Sequence, residues 1–370
     1  MINKNKLVLL SCSTKIRNDR KWICVILFLY ILTSCGENYE GRVENTSFIG
    51  KKIVPLSATK KKVDEVINPI DMAIFDNYLV FQNEYSENDH WFYVYTKDMD
   101  FCFSFAPFGV GPNEFISPRI IKNGSGNIIS IFDASSNAIR KYRINIDNVT
   151  FLSEYYIDTC DYSVQETAYV NDSIIVQMAI SNNGTVLYTS DIIRNKRIDT
   201  AFFQTGFKDK MGIDYNPTVD NFRFSINKGR FVAVMHYVND IITGEIDENG
   251  FFSKKEYKVI NSNFTPCNEI YDNVFYHAYP AIFEDFLFIP YYGYVFRETA
   301  PFPLNLKRRH FDFVIEVYDW NKTPLCVITL DSDFLFLYID CIEEKMYILD
   351  VTIDFDYLLE YDLSVLRKME

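Results

Sequence analysis

Six times along this 370-residue chain a short polar turn leads straight into an apolar strand. Asp76-Asn77 precedes Tyr78-Leu79-Val80-Phe81, Gly124-Ser125-Gly126-Asn127 precedes Ile128-Ile129-Ser130-Ile131, and Asn171-Asp172 precedes Ser173-Ile174-Ile175-Val176. Asn227-Lys228-Gly229, Glu284-Asp285 and Glu343-Glu344 open three further copies. The turns recur roughly every 45 to 60 residues, the chain length of one four-stranded blade. A ring of blades must close without leaving an open strand edge. The expected architecture is therefore all-β: a six-bladed β-propeller of four-stranded antiparallel blades, closed by an N-terminal strand.

Composition agrees with that frame. The chain is 48% hydrophobic and 16% aromatic, with only 14 glycines, which supplies a large core and argues against disorder. Tyr, Phe, Ile and Val dominate the periodic segments, and their ring or branched side chains suit a pleated, half-buried surface. Within a unit the pattern is an inner strand, the polar turn, a second strand, a loop and a third strand often ending in Tyr, as at Trp91-Phe92-Tyr93-Val94-Tyr95 and Leu358-Leu359-Glu360-Tyr361. The last unit supplies only three strands before the chain ends, so residues 48–56 are expected to complete it. Asp133 and Asn137 bracket a loop as turn residues do.

The first residues follow a different logic. Lys15, Arg17, Arg20 and Lys21 precede an apolar run from Trp22 to Leu32 that ends in Thr33-Ser34-Cys35. A basic flank, about a dozen apolar residues and small residues before a cysteine form an export signal too short for a comfortable membrane span. Leu32-Thr33-Ser34-Cys35 resembles a bacterial lipobox, which implies acylation of Cys35. The expected organisation is a lipoprotein signal peptide over residues 1–34, a lipidated cysteine, tether and closing strand over 35–65, and the propeller over 66–370. Cleavage before Cys35 leaves 31 basic and 49 acidic residues and a net charge of −18. So acidic a surface repels phosphate backbones, which excludes nucleic acid as a partner class. Attachment to the membrane then comes from acyl chains.

Metal and nucleophile chemistry have no sequence signature here. Cys102, Cys160, Cys267, Cys326 and Cys341 are odd in number, lack Cys-x-x-Cys spacing and read as small buried hydrophobes. His90, His236, His277 and His310 never pair at metal-ligand spacing. Five residues on the expected inner strands stand shortly before the turns and face the central channel: Asp71, Arg119, Glu166, Arg223 and His277. They are candidates either for ligand binding or for ion pairs that close the channel.

Two stretches interrupt the rhythm, residues 208–221 and residues 291–310. The second holds Tyr291, Tyr292, Tyr294 and Phe296, then Arg297, Lys307, Arg308 and Arg309, a dense positive cluster in an acidic chain. Long insertions on a regular scaffold carry binding surfaces. Aromatic and arginine side chains favour such surfaces, so Tyr292, Tyr294, Arg297, Arg308 and Arg309 join the candidates.

Phe105-Ala106-Pro107-Phe108-Gly109-Val110-Gly111-Pro112-Asn113-Glu114-Phe115 has its own pattern. Gly109 and Gly111 permit a tight crossover between blades, Pro112 stiffens its exit and Glu114 can cap its amides. A phosphate cradle is disfavoured, because no Lys, Ser or Thr and no helix start follow. The stretch resembles the G-x-G-P-x-E-F signature of TolB-like six-bladed propeller lipoproteins of Bacteroidetes, with Asn113 where that family has a second Gly. The resemblance implies the fold and a lipid-anchored place in the bacterial envelope, at the outer membrane, but no chemistry. Three functions fit: a binding module for an envelope polypeptide or glycan, a hydrolase or lyase acting on a lactone or sugar, or an accessory subunit of a surface nutrient-uptake complex. No cofactor is expected, and calcium enters only with the enzyme reading.

Overall fold

Each second strand is apolar on consecutive residues, and the reason is its place between two neighbouring sheets. In Tyr78–Asn83, Leu79 and Phe81 point into one blade junction while Val80 points into the next, so all three are buried. The computed structural model describes residues 44–66, 69–84, 90–124, 126–158, 163–181, 184–205, 222–259, 274–295, 313–332, 336–349 and 357–369. They form a six-bladed propeller.

Blade one is built from Pro69–Ile74, Tyr78–Asn83, His90–Thr96 and Phe101–Pro107, hydrogen-bonded in that order. Blade two repeats the plan with Pro118–Ile120, Ile128–Asp133, Ala138–Ile144 and Val149–Tyr156, and blade three with Ser163–Tyr169, Ile174–Ser181, Gly184–Asp191 and Lys196–Thr205. Blade four has three strands, Phe222–Asn227, Arg230–Met235 and Ile241–Glu245. The following strand, Glu256–Val259, lies instead parallel to Lys196–Thr205 on the outer edge of blade three. In blade five the inner strand is divided into Val274–His277 and Ala281–Phe283, both paired to the long Phe286–Val295, with Val314–Asp319 and Pro324–Leu330 outside. Blade six contributes Phe336–Asp340, Lys345–Leu349 and Tyr357–Asp362. The sheets thus vary around four strands. All six polar turns join a first strand to a second, and positive φ at Lys228, Glu284 and Glu344 marks their tight geometry.

An N-terminal strand closes the ring, but one segment later than expected. Lys52–Leu56 runs parallel to Pro324–Leu330 and extends blade five. Thr59–Lys62 then pairs antiparallel with Tyr357–Asp362 and becomes the fourth strand of blade six. Between them, the Ala58 N–H donates to both carboxylate oxygens of Asp331, at 3.2 and 3.1 Å. Val54 inserts into the core between blades five and six, whereas Thr-Lys-Lys-Lys lies on an outer edge where little is buried. A periodicity argument finds the apolar segment and misses the hydrophilic one.

Six apolar clusters fill the six blade junctions. They centre on Val80 and Ile131, Tyr188 and Ile139, Phe203 and Phe231, Val234 and Leu287, Ile328 and Ile348, and Leu349 and Phe81. From Arg42 onward the chain is one compact unit. Among the described residues no helix is long and apolar enough to cross a membrane. Cys326 is buried as expected, Cys102 is half-buried, and Cys341 is exposed in the turn before Lys345–Leu349; all three are free thiols. Cys160 and Cys267 lie outside the described residues.

Candidate functional site

The inner strands bring four of the five channel candidates together and add three residues the sequence argument did not select. Lys122 of blade two forms an ion pair with Asp71 of blade one. Arg119 donates to the backbone carbonyl of Gln165 in blade three. Arg223 of blade four stands 3.4 Å from the Glu166 carboxylate of blade three and 4.8 Å from the Tyr279 ring centroid of blade five. Tyr279 packs on Phe336 of blade six at 4.7 Å, and the Tyr338 hydroxyl donates to Asp71 at 2.8 Å. These contacts bridge each of the six blade junctions and form a closed circuit around the channel.

The chemistry of the circuit follows from its depth. The Glu166 side chain keeps 24% of its surface open beside Arg223 of the next blade. Burial pushes its carboxyl up to about 7, against the opposing pull of Arg223 and Lys122. Its Oε1 is buried and accepts no hydrogen bond. Burial also lowers Arg119 from the usual guanidinium range, partly offset by Glu166, and raises Tyr279 to about 12 and Tyr338 further. Among the described residues, three cations, Arg119, Lys122 and Arg223, face two carboxylates, Asp71 and Glu166.

His277 is set apart from this circuit. It is fully buried, its Nε2 lies 3.0 Å from Asn239 Oδ1, and its carbonyl accepts from the His236 ring. Burial holds both imidazoles down to about 3, so they are neutral structural groups. Tyr279 faces the channel instead. The channel residue of each blade stands four or five positions before the turn: Arg223 four, and Asp71, Arg119, Glu166, Tyr279 and Tyr338 five. His277 stands seven before its turn, and selecting for charge passed over the two tyrosines. Lys122 carried no comparable signal.

Tyr291 and Tyr292 continue the strand Phe286–Val295 rather than opening a loop. Tyr292 is 1% exposed, its ring packed 4.9 Å from Phe275 and 4.2 Å from Phe313, so it stabilises the fold and offers no face to a partner. Tyr294 lies in the same strand, next to Phe275 in register. Arg297, Arg308 and Arg309 lie outside the described residues, as do Cys35 and residues 208–221.

The Gly109–Phe115 loop is a rigid crossover from blade one to blade two. The Gly111 N–H donates to Glu114 Oε2 at 2.7 Å, and the Phe115 N–H donates to the Pro107 carbonyl at 2.9 Å. A Cβ on Gly109, whose φ is +154°, would lie 2.0 Å from Glu114 Oε2. Asn113 adopts φ +65° and accepts from the Tyr142 hydroxyl at 3.2 Å, a backbone state Asn tolerates nearly as well as Gly. The Arg140 guanidinium donates to the Glu114 carbonyl and stacks 4.8 Å from the Phe115 centroid. Asp133 likewise serves its own turn, accepting from the Ser135 N–H and hydroxyl. Among the described residues no three His, Cys, Asp or Glu side chains converge as a metal site would require.

No protein-family model and no curated protein matches the sequence. The fold is shared with a protein of Bacteroides fragilis described as exported, at 12% identity and a TM-score of 0.50, over 84% of this chain and 99% of that one. It is shared as well with a member of the DUF4221 family from Bacteroides vulgatus, at 10% identity and a TM-score of 0.51, over 82% and 97% of the two chains. At these identities the likeness is one of fold alone.

Proposed function

We propose that the chain is an envelope-anchored binding module, a lipoprotein of TolB-like type held to the outer membrane through Cys35, which recognises a polypeptide or a glycan. One observation carries the reading: all six blades present a side chain to a single channel whose wall is polar and charged, in a protein whose blade junctions are filled mainly by apolar side chains. A ring of this kind holds recognition groups from distant parts of the sequence on one rigid frame. The similarity of fold to an exported Bacteroides protein supports the envelope location. Screening the purified full chain on glycan and peptide arrays tests the reading. A folded chain that captures no member of either class removes it. Labelling cells with a fatty-acid analogue tests the anchor, since Cys35→Ala should abolish label; undiminished label refutes the assignment.

Glu166 favours a second reading. A channel carboxyl poised near neutrality is suited to general acid or base work on a lactone or sugar. Turnover of a lactone or glycoside by the full chain, lost in Glu166→Gln, would establish it. The absence of any turnover across such a screen returns Glu166 to a binding role.

A further inference from the structure

We propose that the central channel is a carboxylate-binding site in which Arg119, Lys122 and Arg223 receive the anion and Glu166 takes up a proton as it binds; this rests on the reading of the chain as a binding module. The charge count sets the sign of the ligand, because three described cations face only two carboxylates there. Asp71 is already engaged by Lys122 and the Tyr338 hydroxyl. Glu166 has one oxygen to spare: the Phe224 N–H supports its carboxylate, but Oε1 lies 3.4 Å from Arg223 Nε, is buried and accepts no hydrogen bond.

A carboxylate arriving at Arg223 places a second negative group beside Glu166, and in a low-dielectric channel the two repel. Protonating Glu166 removes the repulsion and turns the unsatisfied acceptor into an O–H donor beside Arg223. The proton comes from solvent and stays on the Glu166 carboxyl; no bond is made to the ligand. The other charged or titratable groups facing Glu166 are Lys122, Arg119, Asp71 and Tyr279. Proton uptake is assigned to Glu166 because its Oε1 is a buried acceptor left without a hydrogen bond beside Arg223. Its carboxyl, raised by burial to about 7, is ready for that exchange.

The exterior narrows the ligand class. A protein with a net charge of −13 repels polyanions on approach. The fitting ligand is an otherwise neutral molecule that presents one carboxylate, from a uronic acid or from a peptide C-terminus.

Calorimetric titration of the detergent-solubilised full chain decides the matter. The probes are D-galacturonate and N-acetyl-L-alanine, with D-galactose as the neutral match, at about pH 6 and about pH 8. Proton linkage through one group titrating near 7 predicts roughly tenfold tighter binding at the lower pH. Glu166→Gln should bind as tightly at the higher pH as the parent does at the lower, and Arg119→Gln should weaken binding at both. Whichever acid binds identifies the source of the carboxylate. The proposal is overturned if neither acid binds at either pH, if the parent's affinity is unchanged between them, or if folded Glu166→Gln keeps the full pH dependence. If both acids fail while arrays still capture ligands, this inference fails alone; blank arrays as well would remove the binding reading.

Discussion

Gly109→Ala is the sharpest test of the crossover loop, because the structure says which partner must move. The new methyl carbon would sit 2.0 Å from Glu114 Oε2, so the carboxylate has to swing away. It then releases the Gly111 N–H it accepts from at 2.7 Å. A hydrogen bond to a charged acceptor contributes about 1.5 to 3 kcal/mol. The backbone adds a second cost, since a side chain at φ +154° is strained by roughly 1 to 3 kcal/mol. Glu114→Ala alone forfeits the hydrogen bond but keeps the backbone carbonyl that Arg140 holds at 2.8 Å. In the double variant the carboxylate is gone and only the Cβ of residue 114 remains near, at 3.3 Å, so Gly109→Ala costs little beyond its backbone strain. Urea unfolding of the parent, both single variants and the double variant should therefore give a coupling of about 1.5 to 3 kcal/mol between the two sites. Additivity within about 0.5 kcal/mol would refute the reading that the glycines exist to seat the Glu114 carboxylate.

Stability should fall as pH drops, with the sign set by three buried groups. His236 and His277 are held near 3, so the unfolded chain binds two extra protons below pH 6.5, at a cost of about 4 kcal/mol by pH 5. Glu166 acts the other way: its folded value near 7 gives a contribution fully present below 4.5 and lost as pH rises through 7. The net loss from pH 7.5 to 5 is about 1.5 kcal/mol from these groups, growing to about 4 kcal/mol in Glu166→Gln; equal slopes in the two proteins would contradict the assignment. Deleting residues 44–57 removes the buried Phe48 and Val54, at roughly 3 to 6 kcal/mol, and uncovers the edge of Pro324–Leu330, so the variant should melt well below the parent although blade six stays closed. Extending the deletion through Lys62 uncovers the edge of Tyr357–Asp362 as well and should increase aggregation over the shorter deletion, which an identical gel-filtration profile of the two would disprove. Arg308→Glu with Arg309→Glu should weaken capture of an acidic partner from envelope extracts while moving the melting temperature by no more than a few degrees; equal capture removes that cluster from consideration.

The repeat of polar turn and apolar strand determined the blade count, the position of every first hairpin and the apolar filling of the junctions. These are local properties, because a strand flanked by two sheets must be apolar on both faces whatever its partners are. The Gly109–Phe115 crossover was legible for the same reason, as its contacts span only a few residues. Tertiary structure alone decided what depends on meeting distant segments. Thr59–Lys62 closes the ring although it carries no apolar pattern, since an outer edge strand is recruited by backbone hydrogen bonds. His277 and Tyr279 differ by two positions on one strand path, yet the break between Val274–His277 and Ala281–Phe283 buries the first and turns the second to the channel. Tyr292 was drawn into the core because Phe286–Val295 runs on past the expected end of its strand. The near-neutral Glu166 carboxyl exists only where three other blades surround it, because a pKa is set by the space around a group and not by its neighbours in sequence.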